Sequence, residues 1–431
     1  MSKTKIFLVT LASFAGVAMS YADGENPDQL NALKARVAAL ESQMSATPAQ
    51  KDAAKGAMSS LYNIDFYGYV KADAIWSGQK TDTDGAGNYV LGGTAANQEL
   101  YNRNQFTMTA NQTRFGFNIK GPDALDGKLT ANIECDFWGK DDSTDTDTGN
   151  LRLRHAYATW KSGDWSVWAG QTWALLKGVG SVSTINFNCG IKEGELANMR
   201  LPQIGVGKAW KAGDVAINTK LSINKPTGGT TANASSGVPH IHAYIDSQFK
   251  MLTSKLTKIS LSGVLGAEKE PTSTSLHKRY NVCGALAGLE LPIVDWLTIT
   301  GQIYYGKNLG QYGSGSGIGF ASSMNTTDHK DIRELGGFGQ IRLFPIDKLT
   351  INAGIGCAAP KYLDVVAAAD QATTTAYRNA IIFANVNYDF TKALSAGLEY
   401  AYLKTWYRGV TEATDTTRNT SRLQAAVTFK F

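Results

Sequence analysis

The feature that most constrains this chain is an alternation of apolar and polar residues with a period of two, which begins near residue 62 and continues to the last residue. Between Asp65 and Ala74 the even positions carry Phe, Gly, Val, Ala and Ala, whereas Asp65, Lys71 and Asp73 stand at odd positions. The last segment has the same pattern, with apolar residues on one face: Leu423, Ala425, Val427, Phe429 and Phe431. Because successive side chains of a strand point to opposite sides, each segment is predicted to be a strand with one apolar and one polar face.

Segments of this kind recur along the whole chain. Sixteen can be counted, near 65–74, 104–120, 127–138, 151–161, 165–173, 202–210, 214–223, 239–249, 257–267, 280–291, 296–306, 333–344, 349–358, 378–390, 394–405 and 422–431. Most are close to the ~9 to 11 residues that a tilted strand needs to cross a bilayer. The length of the segments therefore favours strands that span a membrane.

The connections between the segments alternate in length. Short ones hold Gly121-Pro122, 162–164, 211–213, 292–295, 345–348 and 391–393. Long ones cover roughly 77–103, 139–150, 174–201, 224–238, 268–279, 307–332, 359–377 and 406–420. Short turns at one end and long loops at the other are typical of an antiparallel transmembrane barrel, whereas a soluble sandwich has no need of this alternation.

The width of such a barrel decides which face is buried. Sixteen strands enclose more space than their side chains can fill, so the polar face is expected to line a wet interior and the apolar face to contact lipid. Tryptophans close to short turns fit an aromatic girdle: Trp160, Trp165, Trp210 and Trp296. The fold predicted is all-β, a 16-stranded antiparallel transmembrane β-barrel preceded by a short N-terminal coiled-coil helix.

The first 22 residues have the features of a secretory signal peptide. Lys3 and Lys5 precede an apolar stretch, Ile6 to Val17, that is too short to span a bilayer, and Ala22 ends a possible cleavage site. An uncleaved anchor is the alternative. Removal of these two lysines takes the formal net charge from +5 to +3, with no basic run, which argues against nucleic-acid binding. A mean hydropathy of −0.20 argues against a helical membrane protein.

A heptad pattern follows the signal peptide. Apolar residues recur with 3-4 spacing at Leu30, Leu33, Val37, Leu40 and Met44, the a and d positions of a coiled coil, and we expect them to carry oligomerisation. A helix that packs on its own chain is the alternative. The domains predicted are a signal peptide at 1–22, a periplasmic coiled-coil segment at 23–46, a linker at 47–61 and the barrel at 62–431.

Neither the cysteines nor the histidines form a recognisable catalytic or metal-binding motif. Strand phase puts Cys135, Cys283 and Cys357 among apolar neighbours, where a thiol acts as a small hydrophobe, while Cys189 lies in a loop. His240 and His242 share one face of a strand and could bind a metal, or only line the interior. No zinc motif or GxSxG sequence is present, so we expect neither an enzyme nor a cofactor.

Two neighbouring strands carry opposite charges on their polar faces. Glu134 and Asp136 lie on one, and Arg152 and Arg154 on the next, within cross-strand reach of each other if the two strands pair. One interpretation is that the arginines stand free and favour anions at the narrowest part of a channel. The other is that the four charges neutralise each other and stiffen the wall.

Four stretches resemble a known family: Thr113-Arg114-Phe115-Gly116-Phe117, Ile133-Glu134-Cys135-Asp136-Phe137, Leu151 to Tyr157, and Ala169-Gly170-Gln171-Thr172-Trp173. Together with the heptads and the terminal Phe431, they resemble the DcaP-like trimeric porins of Gram-negative bacteria. The likeness is best over residues 62–210. It implies a homotrimer in the cell outer membrane, with its N-terminal segment in the periplasm and with outer-membrane lipid and lipopolysaccharide around it.

The resemblance also implies a function. It predicts a passive diffusion channel for small hydrophilic solutes, with a weak preference for dicarboxylate-like anions, whose third long loop, with Lys177, narrows the pore. Short amides and sugars are alternative solutes. The pore-lining and constriction residues expected are Lys71, Asp73, Arg114, Glu134, Asp136, Arg152, Arg154, Lys192, Glu193, Glu195, Arg200 and Lys220. The alternative is a structural barrel that tethers the envelope or binds a partner, with little transport.

Overall fold

The computed structural model describes the part of the chain that carries the alternating pattern. The described residues are 62–81, 90–91, 102–139, 149–179, 185, 199–226, 237–269, 279–309, 312, 331–361, 375–408 and 416–431. The signal peptide, the heptads at Leu30 to Met44 and the linker lie outside these residues, as do Lys192, Glu193 and Glu195. What the sequence predicts for them stays a prediction.

The described chain is all strand and turn. The strands are Asn63–Ser77 (β1), Gln105–Thr109 (β2), Arg114–Ala124 (β3), Gly127–Gly139 (β4), Asn150–Ser162 (β5), Trp165–Trp173 (β6), Arg200–Ala212 (β7), Val215–Asn224 (β8), His240–Lys250 (β9), Leu256–Lys269 (β10), Arg279–Val294 (β11), Leu297–Lys307 (β12), Arg333–Ile346 (β13), Leu349–Pro360 (β14), Thr375–Asp389 (β15), Leu394–Arg408 (β16) and Thr416–Lys430 (β17). Among the described residues no helix has the length and the apolar character needed to span a bilayer.

These strands form one closed antiparallel barrel. From β3 to β17 each strand pairs with its neighbours in sequence, and β1 pairs with β17 on one side and with β2 and β3 on the other. Because β2 and β3 both pair with β1, they are two halves of one interrupted strand, and the barrel has sixteen strands, as predicted. Closure leaves no unpaired sheet edge for the bilayer to solvate.

The C-terminal residue completes the closure. The amide of Phe431 donates to the carbonyl of Gly68 at 3.0 Å, and the amide of Gly68 donates back to the carbonyl of Phe431 at 3.1 Å. The Phe431 ring stacks on Phe66 with 5.2 Å between centroids. The last residue is therefore paired in the sheet and packed against the first strand.

Two local predictions were wrong. The segment predicted as one strand over 104–120 is interrupted at 110–113, where the Lys71 amide donates to the Thr113 side chain at 3.2 Å instead of to a backbone carbonyl. The first short turn is not at Gly121-Pro122, which lies at a register shift inside the β3–β4 pair. The turn is formed by Leu125 and Asp126, whose φ angles of 51° and 54° suit a tight hairpin.

The two faces of the barrel have the polarity predicted. Val70 and Val427 on the outer face are each 50% exposed, whereas Asp73 and Gln424 on the inner face are almost completely buried. Trp165, Trp210 and Trp296 are exposed beside short turns, as a girdle requires. The free thiols at Cys135, Cys283 and Cys357 alternate with inward residues, so they lie on the outer face.

Candidate functional site

The interior of the barrel holds a compact group of opposite charges on β4 and β5. Arg154 Nε lies 2.6 Å from Glu134 Oε1, and Arg154 Nη1 lies 2.8 Å from Asp136 Oδ2. Arg152 binds the same aspartate through two nitrogens, at 2.7 and 2.8 Å. Arg114 on β3 approaches Glu134 at 3.4 Å. The geometry is that of paired charges, the second of the two interpretations of these residues.

A β-bulge explains why two consecutive residues of β5 face the interior. The register between β4 and β5 shifts after Glu134, which pairs with His155, whereas Cys135 pairs with Leu153. As a result, Arg154 and His155 are both buried, although strict alternation would turn one of them outward. His155 Nδ1 lies 3.1 Å from Thr172 Oγ1. The alternation of residues in the sequence did not predict that His155 faces the interior.

Three further basic side chains line the interior next to this group. The guanidinium of Arg200, at the start of β7, lies 4.7 Å from the centre of the Trp173 ring. The ammonium groups of Lys177 and Lys220 lie 5.9 and 6.0 Å from the Tyr244 ring. No ion pair within the described part of the chain involves any of these three cations. Burial, with Lys220 nearby, lowers the pKa of Lys177 below its usual range.

We refer to this side of the interior as the basic wall and define it by Arg114, Arg152, Arg154, Arg200, Lys177 and Lys220. Its arginines outnumber the carboxylates Glu134 and Asp136, and its lysines form no ion pair among the described residues, although Asp246 lies near enough to Lys177 to favour the charge of this lysine. Excess positive charge inside a narrow, low-dielectric passage raises the local concentration of anions.

The third long loop begins and continues inside the barrel. At its start, the Lys177 amide and carbonyl both bond to the Ser262 hydroxyl on β10, each at 3.1 Å. Farther along, Ile185 is buried against the opposite side: its carbonyl accepts from Lys71 Nζ at 2.7 Å and its amide donates to Glu399 at 2.7 Å. Two described points of the loop therefore contact different walls of the interior.

Lys71 and Asp73 lie in the interior, but their charges are engaged. Lys71 Nζ contacts Asp73 Oδ1 at 2.9 Å and Gln112 Oε1 at 2.6 Å, besides the Ile185 carbonyl. Gln424 donates to Asp73 at 2.8 Å. Lys71 therefore holds the third loop, a role that its position on a polar face could not reveal.

The wall formed by β13 to β17 is mostly neutral. Asn352 donates to Asn385 at 2.8 Å, Asn385 donates to Glu399 at 3.0 Å, and Glu399 approaches Arg422 at 3.7 Å. The first long loop contacts the same wall, since the Val90 amide donates to Thr405 at 3.1 Å. Amide side chains offer hydrogen bonds to a solute without adding net charge.

An apolar cluster occupies the interior side of β10 to β12. It joins the root of the third loop to the loop that follows β12 through buried side chains, which are Ala174, Leu176, Leu201, Val264, Val282, Leu286, Tyr304, Leu309 and Tyr312. His240 and His242 both face this cluster and both contact Tyr312. Within the described ranges, no group of three or more His, Cys, Asp or Glu side chains could hold a metal ion.

Comparisons with known proteins identify the fold. No family model and no curated protein matches the sequence. The outer membrane channel DcaP of Acinetobacter baumannii is 18% identical, with 86% of this chain and 98% of that chain covered and a TM-score of 0.69. An anion-selective porin from Comamonas acidovorans is 10% identical, with 86% and 100% covered and a TM-score of 0.54. OmpF of Salmonella typhi, in a complex with daunomycin, is 9% identical, with 85% and 97% covered and a TM-score of 0.51. The chain has the fold of the outer-membrane porins.

Proposed function

We propose that this protein is an outer-membrane porin, a passive diffusion channel for small hydrophilic solutes with a preference for dicarboxylate-like anions. The observation that carries the proposal is a set of cations on the basic wall that form no ion pair within the described residues, Arg200, Lys177 and Lys220. Arg152 and Arg154 add less free charge than their number implies, because Glu134 and Asp136 bind them. Selectivity then depends mainly on the cations that form no ion pair with a carboxylate.

The surroundings of these cations fit small organic acids. Tyr244 packs with Trp168 and Leu175 in a buried cluster, so the two lysines stand beside an apolar surface. A solute with carboxylates on a short carbon chain could contact the ammonium groups while its methylenes lie against Tyr244. Weak, separated contacts of this kind let a solute enter the channel and leave it again.

The channel would act without catalysis, in the outer membrane and as a homotrimer. The apolar outer face supports insertion into a bilayer, and the heptads at Leu30 to Met44 support an oligomer contact on the periplasmic side. Outer-leaflet lipopolysaccharide and phospholipid would cover the lipid-exposed wall.

Reversal potentials in a planar bilayer test the proposal. We expect a steady open-channel current. The sign of the reversal potential should show that the channel prefers anions. Replacement of Lys177, Lys220 and Arg200 by Ala should move it toward zero or to cation preference. The control replaces Lys348 and Lys392 by Ala, since both lysines are exposed in short turns. An unmoved potential in the triple variant would refute the basic wall as the origin of selectivity.

The second candidate function is a structural barrel with little transport. The packing of Val90 and Tyr312 inside the barrel favours it, because both belong to long loops and occupy interior space. The same bilayer experiment separates the two functions, since a plugged barrel gives no steady current. Liposome swelling with a panel of small acids would then rank the solutes of an open channel.

A further inference from the structure

The short-turn end of the barrel has an aromatic ring that contacts two cations. Phe344 lies near the end of β13, and its amide donates at 2.8 Å to the carbonyl of Trp296, in the turn between β11 and β12. The guanidinium carbon of Arg342 lies 5.5 Å from the centre of the Phe344 ring, and the Lys255 ammonium lies 5.2 Å from it. Two positive charges therefore meet at one ring close to this mouth of the barrel.

Arg342 belongs to the inward face of β13. Gln340, two residues before it, is buried on the interior side, and side chains two apart in a strand point to the same side. Phe344, two residues after Arg342, continues this face to the mouth. The pore-lining residues predicted from the sequence did not include Arg342.

The residues directly opposite Arg342 are neutral. They are Thr298 on β12 and Asn352 on β14. Arg152, by contrast, stands opposite Asp136. Arg342 forms no ion pair within the described residues, and its buried Nε has no hydrogen-bond partner among them. Because a buried donor without an acceptor is unfavourable, an anion that binds this nitrogen stabilises the arrangement.

Lys255 is exposed, but two contacts position it. Its amide donates to the Thr253 hydroxyl at 3.1 Å, inside the turn between β9 and β10. Its ammonium donates to the Asp295 carbonyl, in the turn between β11 and β12. The side chain therefore reaches across to the neighbouring hairpin and places its charge beside Phe344.

We propose that Arg342, Lys255 and Phe344 form a second anion site, at the periplasmic mouth of the channel, which binds a short aliphatic dicarboxylate. We refer to these three residues as the exit site. The planar guanidinium can bind one carboxylate and the ammonium the other, while the methylenes between them lie against the Phe344 ring. The inference rests on the proposed function, because it gives the solute of the porin a site where it leaves the channel.

The exit site repeats the arrangement at Tyr244. Lys177 and Lys220 lie 5.9 and 6.0 Å from the centre of that ring. Tyr244 lies in the middle of β9, whereas Phe344 lies at the short-turn end of β13, so the two sites differ in their depth along the channel. Separate weak sites let a solute bind, move on and leave. Contact with water keeps the exit site weak and sensitive to salt.

The acidic groups at this end of the barrel do not bind the cations of the exit site. Asp295 and Asp347 stand in short turns, and within the described residues neither forms an ion pair with these cations. Glu290 on β11 lies opposite Lys258 on β10 in the register of the sheet. This carboxylate therefore has a lysine of its own across the strand pair.

Single-channel conductance of the full-length protein as a function of sodium succinate concentration tests the proposal. In Arg342→Gln with Lys255→Gln, we expect the half-saturating concentration of succinate to rise on the order of 3-fold. The control, Lys348→Gln with Lys392→Gln, removes two exposed charges from turns at the same end and should leave this concentration unchanged. Equal half-saturation in the exit-site double variant and the wild type would overturn the proposal.

Phe344→Leu distinguishes a dicarboxylate site from a general effect of charge. It keeps both cations but removes the ring, so the half-saturating concentration of succinate should rise on the order of 2-fold. Sulfate, a dianion without methylenes, should be unaffected. Equal changes for the two anions would refute the assignment to dicarboxylates. The gel shift between folded and unfolded barrel verifies that each variant is folded.

Saturation-transfer NMR in deuterated detergent reads succinate binding without current. Irradiation of aromatic protons should give a signal at the succinate methylenes that falls in Phe344→Leu and in the exit-site double variant but not in the lysine control. A wild type that gives no steady current yet shows this pattern would refute the channel and keep the exit site. An anion-selective wild type whose Phe344→Leu and double variants match it in both measurements would refute the exit site and keep the channel.

Discussion

Lys71 and Glu399 bind the two backbone groups of one residue: the Lys71 ammonium donates to the Ile185 carbonyl and the Glu399 carboxylate accepts from the Ile185 amide, each at 2.7 Å. Both side chains are buried on the barrel wall, 328 positions apart in the sequence. Charged groups make stronger hydrogen bonds than neutral ones, and burial shields these from water. The third loop is therefore held by two charged side chains at the backbone of an apolar residue, Ile185.

Removal of the cationic side of this contact should loosen the loop. In Lys71→Met the Ile185 carbonyl loses its donor and Asp73 loses its ion pair, so we expect single-channel conductance to rise on the order of 1.5-fold. Loss of one partner of a buried pair should also lower the free energy of unfolding by about 3 kcal/mol.

The matched control for this change is Lys120→Met. It breaks an exposed pair, Lys120 on β3 with Asp65 on β1 at 3.2 Å, which is worth less than about 1 kcal/mol. Urea titration of the gel shift between folded and unfolded barrel measures stability. Equal conductance in the two variants would show that Lys71 does not restrain the loop.

Alternation predicted the barrel because the residues of each strand are enough to indicate which of its faces contacts lipid. It put Lys71 and Asp73 in the interior, where they lie, but their engagement with Gln112 and Ile185 depends on segments that no local pattern connects. The turn at Leu125 and Asp126 was missed because Leu is rarely found at positive φ, although Asp is common in such turns.

The sequence also did not predict the irregularities inside the strands or the contacts that the loops make. His155 faces inward only because of a bulge, whose register shift is a property of the pair of strands. Tyr312 lies in a loop, where composition says little about which side chain will pack. The sequence thus predicted the polarity of the wall better than the partners of the charges on it.

Charge balance on the basic wall gives a second prediction. Arg152→Ala with Arg154→Ala leaves the carboxylates of Glu134 and Asp136 inside the channel without these partners, so selectivity should move strongly toward cations. Addition of Glu134→Gln and Asp136→Asn removes as many negative charges as positive ones. The quadruple variant should therefore return close to the wild-type reversal potential in a salt gradient.

The double and quadruple variants distinguish arginines that are paired with carboxylates from arginines that line the channel as free cations. If the arginines acted as free cations, the added carboxylate substitutions would leave part of the shift in place. A double variant with the wild-type potential would show that this part of the wall has no effect on selectivity.

The lowered pKa of Lys177 gives a pH dependence of selectivity. Burial and the neighbouring Lys220 favour the neutral amine, so Lys177 loses its charge at a lower pH than an exposed lysine, whose usual value is ~10.4. Anion preference should therefore decline as the pH rises through the alkaline range below that value. Lys177→Arg keeps the charge and should flatten the profile. Reversal potentials that fall equally in both proteins would assign the change to another group.

The heptads predict an oligomer contact outside the described residues. Leu33→Asp with Leu40→Asp puts charge at two d positions and should loosen the oligomer while the barrel stays folded. Ala35→Asp with Ser42→Asp is the matched control, since both residues fall at the outward f position. Unheated electrophoresis in mild detergent resolves the oligomers. Oligomers of equal resistance in both variants would contradict a coiled-coil contact.

Native cysteines allow a direct test of which face meets lipid. Cys135, Cys283 and Cys357 lie on the outer face, so in proteoliposomes a membrane-soluble maleimide should label them and a charged thiol reagent should not. Cys189 is first replaced by Ser, because it lies outside the described residues. Asn118→Cys, at an exposed position on the inner face of β3, is the water-accessible comparison, which the charged reagent should label.

The expected pattern follows from the environment of each thiol. Thiolate is the reactive form, and a charged reagent reaches it only through water. The channel supplies water at position 118, whereas acyl chains exclude it at the native cysteines. Rapid labelling of the native thiols by the charged reagent would mean that the apolar face is not in lipid. The inward polar wall, and with it the channel, would then have no physical basis.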